Sequence, residues 1–274
     1  MAKKYADLHL HTNASDGELP PGEMVKMAKE AGLAAVGIVD HDTVDGIEPA
    51  RRAGKRYGVE IISGVEFSCQ GRKSKFHILG YCIDWREPGL LDRLRNFQED
   101  RRHQIRGMVG KLQKLGIDLS YEEVLKLSGG GSIGRPHIAR AMLRRGYIRT
   151  PQEAFDRYLR AKMPAYVGRY ELEPREAINL IRAVGGAPVL AHPIYGGVEE
   201  LPWLVRQGLR GIEAYHSDHD SRATRLYLQL ARKHGLLVIG GSDSHGADPP
   251  VGSIRVPWEL VEELKREADE IRGA

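Results

Sequence analysis

Histidines and carboxylates recur together at the ends of short apolar segments in this 274-residue sequence. The first segment reads DLHLH from Asp7 to His11, and alternation along a strand puts His9 and His11 on the same face. A lone histidine is more often a packed or surface residue than a ligand, but two imidazoles beside an acid favour metal binding. The only cysteines, Cys69 and Cys82, lack CxxC spacing, so a metal would be held by histidine and carboxylate.

The same residue types close several later segments. They are Asp40, His41 and Asp42, then Glu66, His77, His192, Asp243 and His245. This set exceeds the four ligands of a closed structural zinc site. Imidazole and carboxylate without thiolate suit Mn, Fe or Zn, and several acids favour a multinuclear site with a bridging carboxylate. Because paired metals polarise a phosphoryl group and turn water into hydroxide near neutral pH, the pattern predicts phosphoester hydrolysis.

Seven β-prone segments must position these side chains. They run over residues 5–11, 35–41, 60–68, 76–83, 188–192, 211–216 and 236–245. Helical patterns at residues 21–31, 47–57, 174–184 and 221–234 alternate with them, which favours parallel pairing in an α/β fold. We expect a barrel rather than an open sheet, because only a barrel brings the strand ends around one mouth.

Helical patterns replace this alternation between Trp85 and Gly168. We therefore expect a barrel formed by residues 1–84 and 169–274 and a helical insertion domain over residues 85–168. From Arg93 to Arg169 there are 17 Lys and Arg against 7 Asp and Glu, so this stretch carries +10 while the whole chain carries +4. A basic face can simply aid solubility, or it can attract a phosphate-bearing partner. The glycine run from Gly129 to Gly131 does not have the spacing of a phosphate-binding P-loop, and we expect it to be a hinge.

The amino terminus, MAKKY, has no apolar leader segment, and no run of about 18 apolar residues occurs. These features predict a cytoplasmic protein without a membrane partner. Nothing in the sequence indicates an obligate protein partner.

The motifs, taken in order, resemble those of the PHP (polymerase and histidinol phosphatase) superfamily. They are DLHLHT from Asp7, SDG from Ser15, DHD from Asp40, GVEFS from Gly64, AHP from Ala191 and SDSH from Ser242. The resemblance implies a distorted (β/α)₇ barrel, the PHP fold, with three divalent metal ions. It further implies one metal held by His9, His11, Glu66 and Asp243, a second held by Asp16, His41 and His245, and a third held by Glu66, His77 and His192.

Within the superfamily the chain is most similar to the TrpH/YciV-type branch, whose helical insertion carries the string GRPHIA, here Gly134 to Ala139. That branch contains 3′,5′-nucleoside bisphosphate phosphatases and 5′→3′ exonucleases acting on short RNA. Arg135 and His137 flank a proline at a helix start, where backbone N–H groups and arginine favour an anion.

A two-phosphate mechanism follows from this resemblance. Arg135 and His137, assisted by Arg169, would hold one phosphate of a nucleotide bisphosphate or a short RNA while the metals bind the other. Asp16 or His245 would assist proton transfer. Glu213 and Tyr215 are expected to share a face of the sixth strand outside the metal ligands, and the role of His216 stays open.

Three other functions fit part of the pattern. Histidinol-phosphate phosphatase uses the same chemistry on a monophosphate, but one phosphate does not require a basic insertion. A proofreading 3′→5′ exonuclease domain would accompany a polymerase, which nothing in the sequence resembles. A non-catalytic scaffold that retains metals is disfavoured by the complete set of candidate ligands.

Overall fold

The computed structural model describes residues 3–273. Its central element is a sheet of eight strands, seven of which correspond to predicted segments. The strands are β1 Tyr5–Leu10, β2 Ala35–Ile38, β3 Glu60–Gln70, β4 Lys75–Tyr81, β5 Ala187–Leu190, β6 Gly211–His216, β7 Leu237–Gly241 and β8 Val256–Pro257.

Helices surround this sheet and also form a separate group between β4 and β5. They are α1 Pro21–Glu30, α2 Ile47–Tyr57, α3 Pro88–Lys114, α4 Tyr121–Leu127, α5 Arg135–Arg144, α6 Pro151–Ala154, α7 Pro174–Ala183, α8 Leu201–Arg206, α9 Ser221–His234 and α10 Trp258–Gly273. Helix α6 ends at Ala154, and the chain continues as a π-helical turn, Phe155–Leu159. None of the helices among residues 3–273 is long and apolar enough to cross a membrane.

The strand order is β7-β6-β5-β4-β3-β2-β1-β8. Pairing is parallel within β1-β2-β3 and within β5-β6-β7, but β4 is antiparallel to both of its neighbours. The expectation of parallel pairing was therefore wrong for β4. Only residues 71–74 join it to β3, and this connection is too short for a crossover helix.

The two edges of the sheet approach each other at the ends of β1 and β7. The His11 amide donates to the Ser244 carbonyl at 3.0 Å, and Leu10 bridges Ser244 in parallel register. Gly241 lies so close to β1 that a methyl group there would overlap the backbone nitrogen and Cβ of His9. The sheet is thus a nearly closed barrel, which confirms the predicted α/β barrel fold.

The opposite end of the barrel is covered by two elements that the sequence pattern did not reveal, β8 and α10. β8 pairs antiparallel with Tyr5 and Ala6 at the start of β1. Helix α10 then contacts β1, β5 and β7, and Lys265 pairs with Glu60 at the start of β3. Because α10 covers the starts of the parallel strands, the mouth at their carboxyl ends is left for the site.

Helices α3 to α6 contain a hydrophobic cluster of their own, which extends from Ile105 to Ala165. Helix α3 links the two regions, since Leu90, Leu94 and Phe97 near its start belong to the barrel core. The assignment of residues 85–168 as an insertion domain stays a prediction, and residues 1, 2 and 274 of the predicted barrel segments lie outside the described part of the chain.

The glycine run of this region packs against the barrel through Gly131. Gly129 and Gly130 have positive φ angles of 58° and 89° in a turn. A methyl group on Gly131 would overlap the Ala14 carbonyl, and the neighbouring Ser132 amide donates to that carbonyl at 2.7 Å. Gly131 therefore packs against the loop that follows β1, whereas Gly129 and Gly130 form an open turn, and the hinge stays a prediction.

Replacing Gly241 by alanine tests barrel closure. The added methyl has no room beside His9, so we expect Gly241→Ala to lower the free energy of unfolding by about 1–3 kcal/mol, as overpacked cores do. Urea unfolding of chelator-treated protein measures the change.

Gly110→Ala is the matched control, because Gly110 lies within α3 with open space around it. This substitution should raise stability by about 0.5–1 kcal/mol. Equal stability of Gly241→Ala and the wild type would contradict the close approach of β1 and β7.

Candidate metal centre

The end of β1 supplies the first two side chains of the centre. His9 and His11 are fully buried, and their Nε2 atoms lie 3.2 Å apart. An unprotonated imidazole nitrogen is a metal ligand, so two such nitrogens that face each other at this distance can bind one cation. Both nitrogens also face the Asp243 carboxylate, at 3.3 and 3.0 Å from its Oδ1. The β1 histidines and Asp243 therefore converge on one point.

Glu66 lies at the middle of the centre because β3 continues past the end of β2. Its Oε2 is 3.1 Å from His11 Nε2 and 3.2 Å from His41 Nδ1. Its Oε1 is 2.8 Å from His77 Nδ1 and 3.0 Å from His192 Nε2. The two oxygens of one buried carboxylate thus face two different sets of histidines, which is the geometry of a bridging ligand.

His77 reaches this position for a reason that sequence alternation did not predict. It lies near the start of β4, and because β4 is antiparallel, its beginning meets the ends of the parallel strands at the mouth. The register places His77 opposite Ser68, two residues beyond Glu66 on β3. The hairpin therefore sets the distance between His77 and the Glu66 carboxylate.

A further group forms around Asp16, in the loop after β1. His245 Nε2 lies 3.3 Å from Asp16 Oδ1, and His41 Nε2 lies 3.9 Å from Asp16 Oδ2. The His11 ring stacks on the His245 ring at 4.3 Å between centroids. Each of these four side chains has one ligand atom that lies within 4.8 Å of the ligand atoms of the other three.

All nine ligands predicted from the sequence thus come together at the mouth. Their groups, each with ligand atoms within 4.8 Å of one another, are His11-Asp16-His41-His245, His9-His192-Asp243, His9-His11-Glu66 and His41-Glu66-His77. His41 was expected to bind one metal, but it belongs to two of these groups.

The donor atoms of this cluster fit cations. In the described part of the chain nine buried side-chain N or O atoms lack a hydrogen-bond partner, and five belong to residues of this centre. These atoms are His11 Nδ1, His41 Nδ1, His192 Nδ1, His216 Nε2 and Asp243 Oδ1. Because an unsatisfied buried polar atom costs about 1–3 kcal/mol, such a concentration is expected where metal ions complete the bonding.

The pKa values in the cluster reflect how closely its histidines and carboxylates lie together. Burial alone lowers the pKa of His11, but hydrogen bonds to Asp243 and Glu66 outweigh it and raise that pKa to about 10. Burial raises the pKa of Glu66, yet its contacts with the surrounding imidazoles hold that pKa well below its usual value. Burial lowers the pKa of His41 to about 3. In the absence of metal, protons therefore supply positive charge beside these carboxylates.

Two buried acids that flank the predicted ligands have a supporting role instead. Asp7 accepts hydrogen bonds from the Ser242 amide at 2.9 Å, the Ser242 hydroxyl at 2.6 Å and the Gly252 amide at 2.8 Å. Asp40 accepts from the Thr12 amide at 2.7 Å and the Ser15 hydroxyl at 2.6 Å. These bonds hold the loops that carry Asp16 and Asp243.

Strand β6 adds two residues that the sequence did not assign to the centre. Glu213 bonds to His9 Nδ1 at 3.0 Å and accepts from the His192 amide at 2.7 Å, so it orients two candidate ligands. A register irregularity between Glu213 and Tyr215 then turns His216 inward, with its Nε2 3.5 Å from Asp243 Oδ2. Strict alternation predicted that Tyr215 would share the face of Glu213, and this irregularity is why His216 could not be assigned.

A cavity of about 330 Å³ adjoins the centre on the side of the helical region. Its wall includes the candidate ligands Asp16, His41 and His77 together with Arg101, Arg135 and Arg169. Arg101 Nε and Arg169 share one carboxylate oxygen of Asp42, at 2.6 and 3.1 Å. Arg101 was missed in the sequence, because nothing along α3 distinguishes it from the other basic residues there.

His137 lies at the start of α5 and does not line the cavity in which a phosphate contact was expected. Its side chain is buried. Its Nδ1 accepts the Gly134 amide at 3.0 Å, which caps the start of α5, and burial lowers its pKa to about 4. His137 is therefore a neutral side chain that orders the helix start carrying Arg135.

Comparison with known proteins identifies the family. The family model described as "PHP domain" matches residues 7–165, which is more than half of the chain. The chain belongs to the PHP domain family. All the β1 to β4 ligands of the centre lie within the matched residues.

Relatives of known type extend this assignment to the whole chain. A 5′-3′ exoribonuclease Rnm from Salmonella typhimurium is 34% identical, over 92% of this chain and 89% of the relative. A 3′,5′-nucleoside bisphosphate phosphatase from Chromobacterium violaceum is 30% identical, over 87% and 86%. The crystal structure of a Bifidobacterium adolescentis protein, described as a candidate metal-dependent phosphoesterase, superposes with a TM-score of 0.89 at 29% identity over 97% of both chains. This PHP protein is thus a metal-dependent phosphoesterase.

Glu213 offers a test of how the PHP centre is held. Since its carboxylate orients His9 and the His192 backbone, Glu213→Gln should lower metal affinity about 10- to 100-fold. Competition with a chelator, followed by metal analysis, measures the affinity.

Glu200→Gln provides the control, because Glu200 is also buried but lies after β5 beside the Lys73 amide. It should bind metal as the wild type does. Unchanged affinity in Glu213→Gln would show that the His9 contact does not support the centre.

Metal binding should also release protons. A metal needs neutral imidazole, whereas the pKa of His11 near 10 keeps it protonated at pH 7 in the metal-free protein. Affinity should therefore rise with pH up to about 10. Calorimetry of Mn²⁺ or Zn²⁺ binding in buffers of different ionisation enthalpy measures the protons released, and a heat that is independent of the buffer would contradict the assignment.

Proposed function

We propose that this phosphoesterase hydrolyses the 3′-phosphate ester of 3′,5′-nucleoside bisphosphates and the same bond at the 5′ end of short RNA. The observation that carries the proposal is the arginine-lined cavity that opens directly onto the candidate metal ligands. A substrate with phosphates at both positions would have one at the metals and the other at the arginines. Both similar relatives named above act on substrates of this kind by their names.

Three divalent ions, Mn, Fe or Zn, would complete the centre. His9, His11, Glu66 and Asp243 would hold the first, Asp16, His41 and His245 the second, and Glu66, His77 and His192 the third. Support comes from the two oxygens of Glu66, which face different histidines, and from the unpaired buried atoms around them. When bound, such ions polarise the phosphoryl group and lower the pKa of water.

Arg135 is the central residue of the proposed phosphate-binding site. In residues 3–273 no carboxylate pairs with its guanidinium, which instead lies 5.7 Å from the Phe155 ring centroid and 3.5 Å from the Leu159 carbonyl. Arg101 and Arg169 share a single carboxylate, so this wall keeps net positive charge. A partly buried guanidinium without a counterion fits a phosphate, which it would bind through two parallel N–H···O bonds.

Asp16 and His245 would move protons in the reaction. His245 Nε2 faces Asp16 at 3.3 Å while its Nδ1 bonds to the Asp243 carbonyl at 2.9 Å, so the ring is oriented with one nitrogen toward the acid. Arg140 also binds the Asp16 carbonyl and pins this loop. Both are also candidate ligands, and the side chain of His245 is 31% exposed, so a proton can leave the site through it.

The helical region would deliver Arg101 and Arg135 as an insertion domain over residues 85–168, and Arg169 follows directly after it. Many of its other basic residues are paired with nearby acids on exposed surfaces, as Arg145 is with Glu123 and Arg157 with Glu153. The +10 charge of the stretch therefore acts at the site mainly through Arg101, Arg135 and Arg169. His137 would contribute by ordering the start of α5 and not by touching phosphate.

Arg135→Ala tests the two-phosphate model. Losing a charged hydrogen bond worth about 1.5–3 kcal/mol should lower kcat/KM for 3′,5′-bisphosphoadenosine about 10- to 100-fold. The assay uses metal-loaded protein with this substrate, histidinol phosphate and 5′-phosphorylated oligoribonucleotides. A chelator should abolish turnover.

Arg144→Ala is the matched control, since Arg144 is exposed at the end of the same helix. It should turn over each substrate like the wild type. Full activity of Arg135→Ala would refute phosphate binding by Arg135. A preference of the wild type for histidinol phosphate would refute the substrate assignment.

A further inference from the structure

The half of the mouth formed by the ends of β5 and β6 carries an exposed aromatic side chain. Tyr195 is 61% exposed, the largest value among the exposed large apolar side chains of residues 3–273, and its neighbour Ile194 is 46% exposed. Both lie in the turn Pro193–Tyr195, directly after the candidate ligand His192. Large apolar side chains in open positions beside a reactive centre mark a place where a ligand binds.

The Tyr195 ring is held in a fixed orientation. Its hydroxyl donates to Asp218 Oδ2 at 2.6 Å, in the loop after β6. Its ring meets the His192 ring edge to face, with 5.4 Å between centroids and 71° between planes. Because both ends of the side chain are constrained, the exposed part of the ring offers a flat, ordered surface at low entropic cost.

This surface lies on the other side of the centre from the arginines. The His77 ring, which lines the arginine cavity, is 5.0 Å from the His192 ring, and His192 in turn contacts Tyr195. The helical region contacts the β1 to β4 side, through Ser132 to Ala14, Arg101 to Asp42 and Tyr166 to Lys75. Tyr195 itself is open to solvent.

The proposed reaction requires a second direction of approach to the centre. Hydrolysis breaks the bond between phosphorus and O3′ of the first nucleotide, whose 5′-phosphate lies at the arginines. Water supplies the new oxygen on phosphorus, and O3′ takes a proton. In RNA the same phosphorus carries an O5′ ester to the second nucleotide, which is neither nucleophile nor leaving group. That ester, and the chain beyond it, must leave the centre away from the arginine cavity.

We propose that Tyr195, flanked by Ile194, stacks against the base of the second nucleotide of an RNA substrate. This inference rests on the proposed function and adds a subsite that a mononucleotide bisphosphate cannot use. A π surface accepts any base, so the subsite favours RNA over bisphosphate without reading sequence. Tyr195 is thus a positioning residue that sets the preference between the two substrates.

Three substrates separate this subsite from the rest of the site. They are 3′,5′-bisphosphoadenosine, the 5′-phosphorylated dinucleotide of adenosine, and that dinucleotide with an abasic second ribose. Base stacking corresponds to about tenfold or more in kcat/KM. In Tyr195→Ala the ratio of kcat/KM for dinucleotide over bisphosphate should fall by about tenfold, while Tyr195→Phe, which keeps the ring, should retain the wild-type ratio.

The abasic dinucleotide and a second tyrosine supply the controls. On the abasic substrate Tyr195→Ala and the wild type should have the same ratio to bisphosphate. Tyr170→Ala should keep the wild-type ratio for every substrate, because Tyr170 is another exposed tyrosine bonded to a carboxylate but lies outside the arginine cavity and the mouth.

An unchanged ratio in Tyr195→Ala, or an equal loss on dinucleotide and abasic substrate, would overturn the stacking subsite. The first outcome would mean that the second base does not stack on Tyr195, and the second that Tyr195 contacts the sugar or phosphate and not the base. Failure of the proposed function gives a different result, since metal-loaded wild type would then turn over neither bisphosphate nor dinucleotide.

Discussion

A single buried carboxylate, that of Glu66, is the constraint on which the site depends. Its two oxygens each face a pair of imidazole nitrogens, from β1 and the β2 end on one side and from β4 and the β5 end on the other. A buried charge is tolerated only if it is paired on all sides. The strands must therefore keep one register around Glu66 for the protein to be stable, with or without metal.

Barrel closure serves the same constraint. β1 and β7 meet only at their carboxyl ends, where Gly241 allows the backbone of β7 to lie against His9. This contact brings Asp243 to the β1 histidines. Asp42, His192 and Asp243 adopt positive φ values of 51°, 22° and 55°, so three of the five non-glycine residues with such angles in the described chain lie at the mouth. Backbone strain is concentrated where ligands are aimed, as is common at functional sites.

The helical region lies at one side of the mouth, and the turn after β5 lies at the other. Arginines from the helical side place positive charge in the cavity beside the candidate metal ligands, where the proposed phosphate would bind. On the other side Tyr195 is open to solvent. The metal centre lies where these two environments meet, which suits a substrate that is anchored at one end and extends at the other.

The sequence by itself determined seven of the eight strands and which of their residues carry imidazole or carboxylate, because both properties are local. His9 and His11 share a face through strand alternation alone, and the ordered motifs from Asp7 to His245 identified the family. Helices such as α2 and α9 were also predictable to the residue, from their amphipathic periodicity.

Only the tertiary structure decided what depends on pairing between distant segments. The antiparallel direction of β4 brings His77 to the mouth, the irregularity in β6 turns His216 inward, and His137 accepts the Gly134 amide at the start of α5. Arg101 is one basic residue among many along α3 until Asp42 orients it. Neither strand direction, nor bulges, nor the partner of a long charged side chain is encoded in local periodicity, because each is set by contacts between residues far apart in the chain.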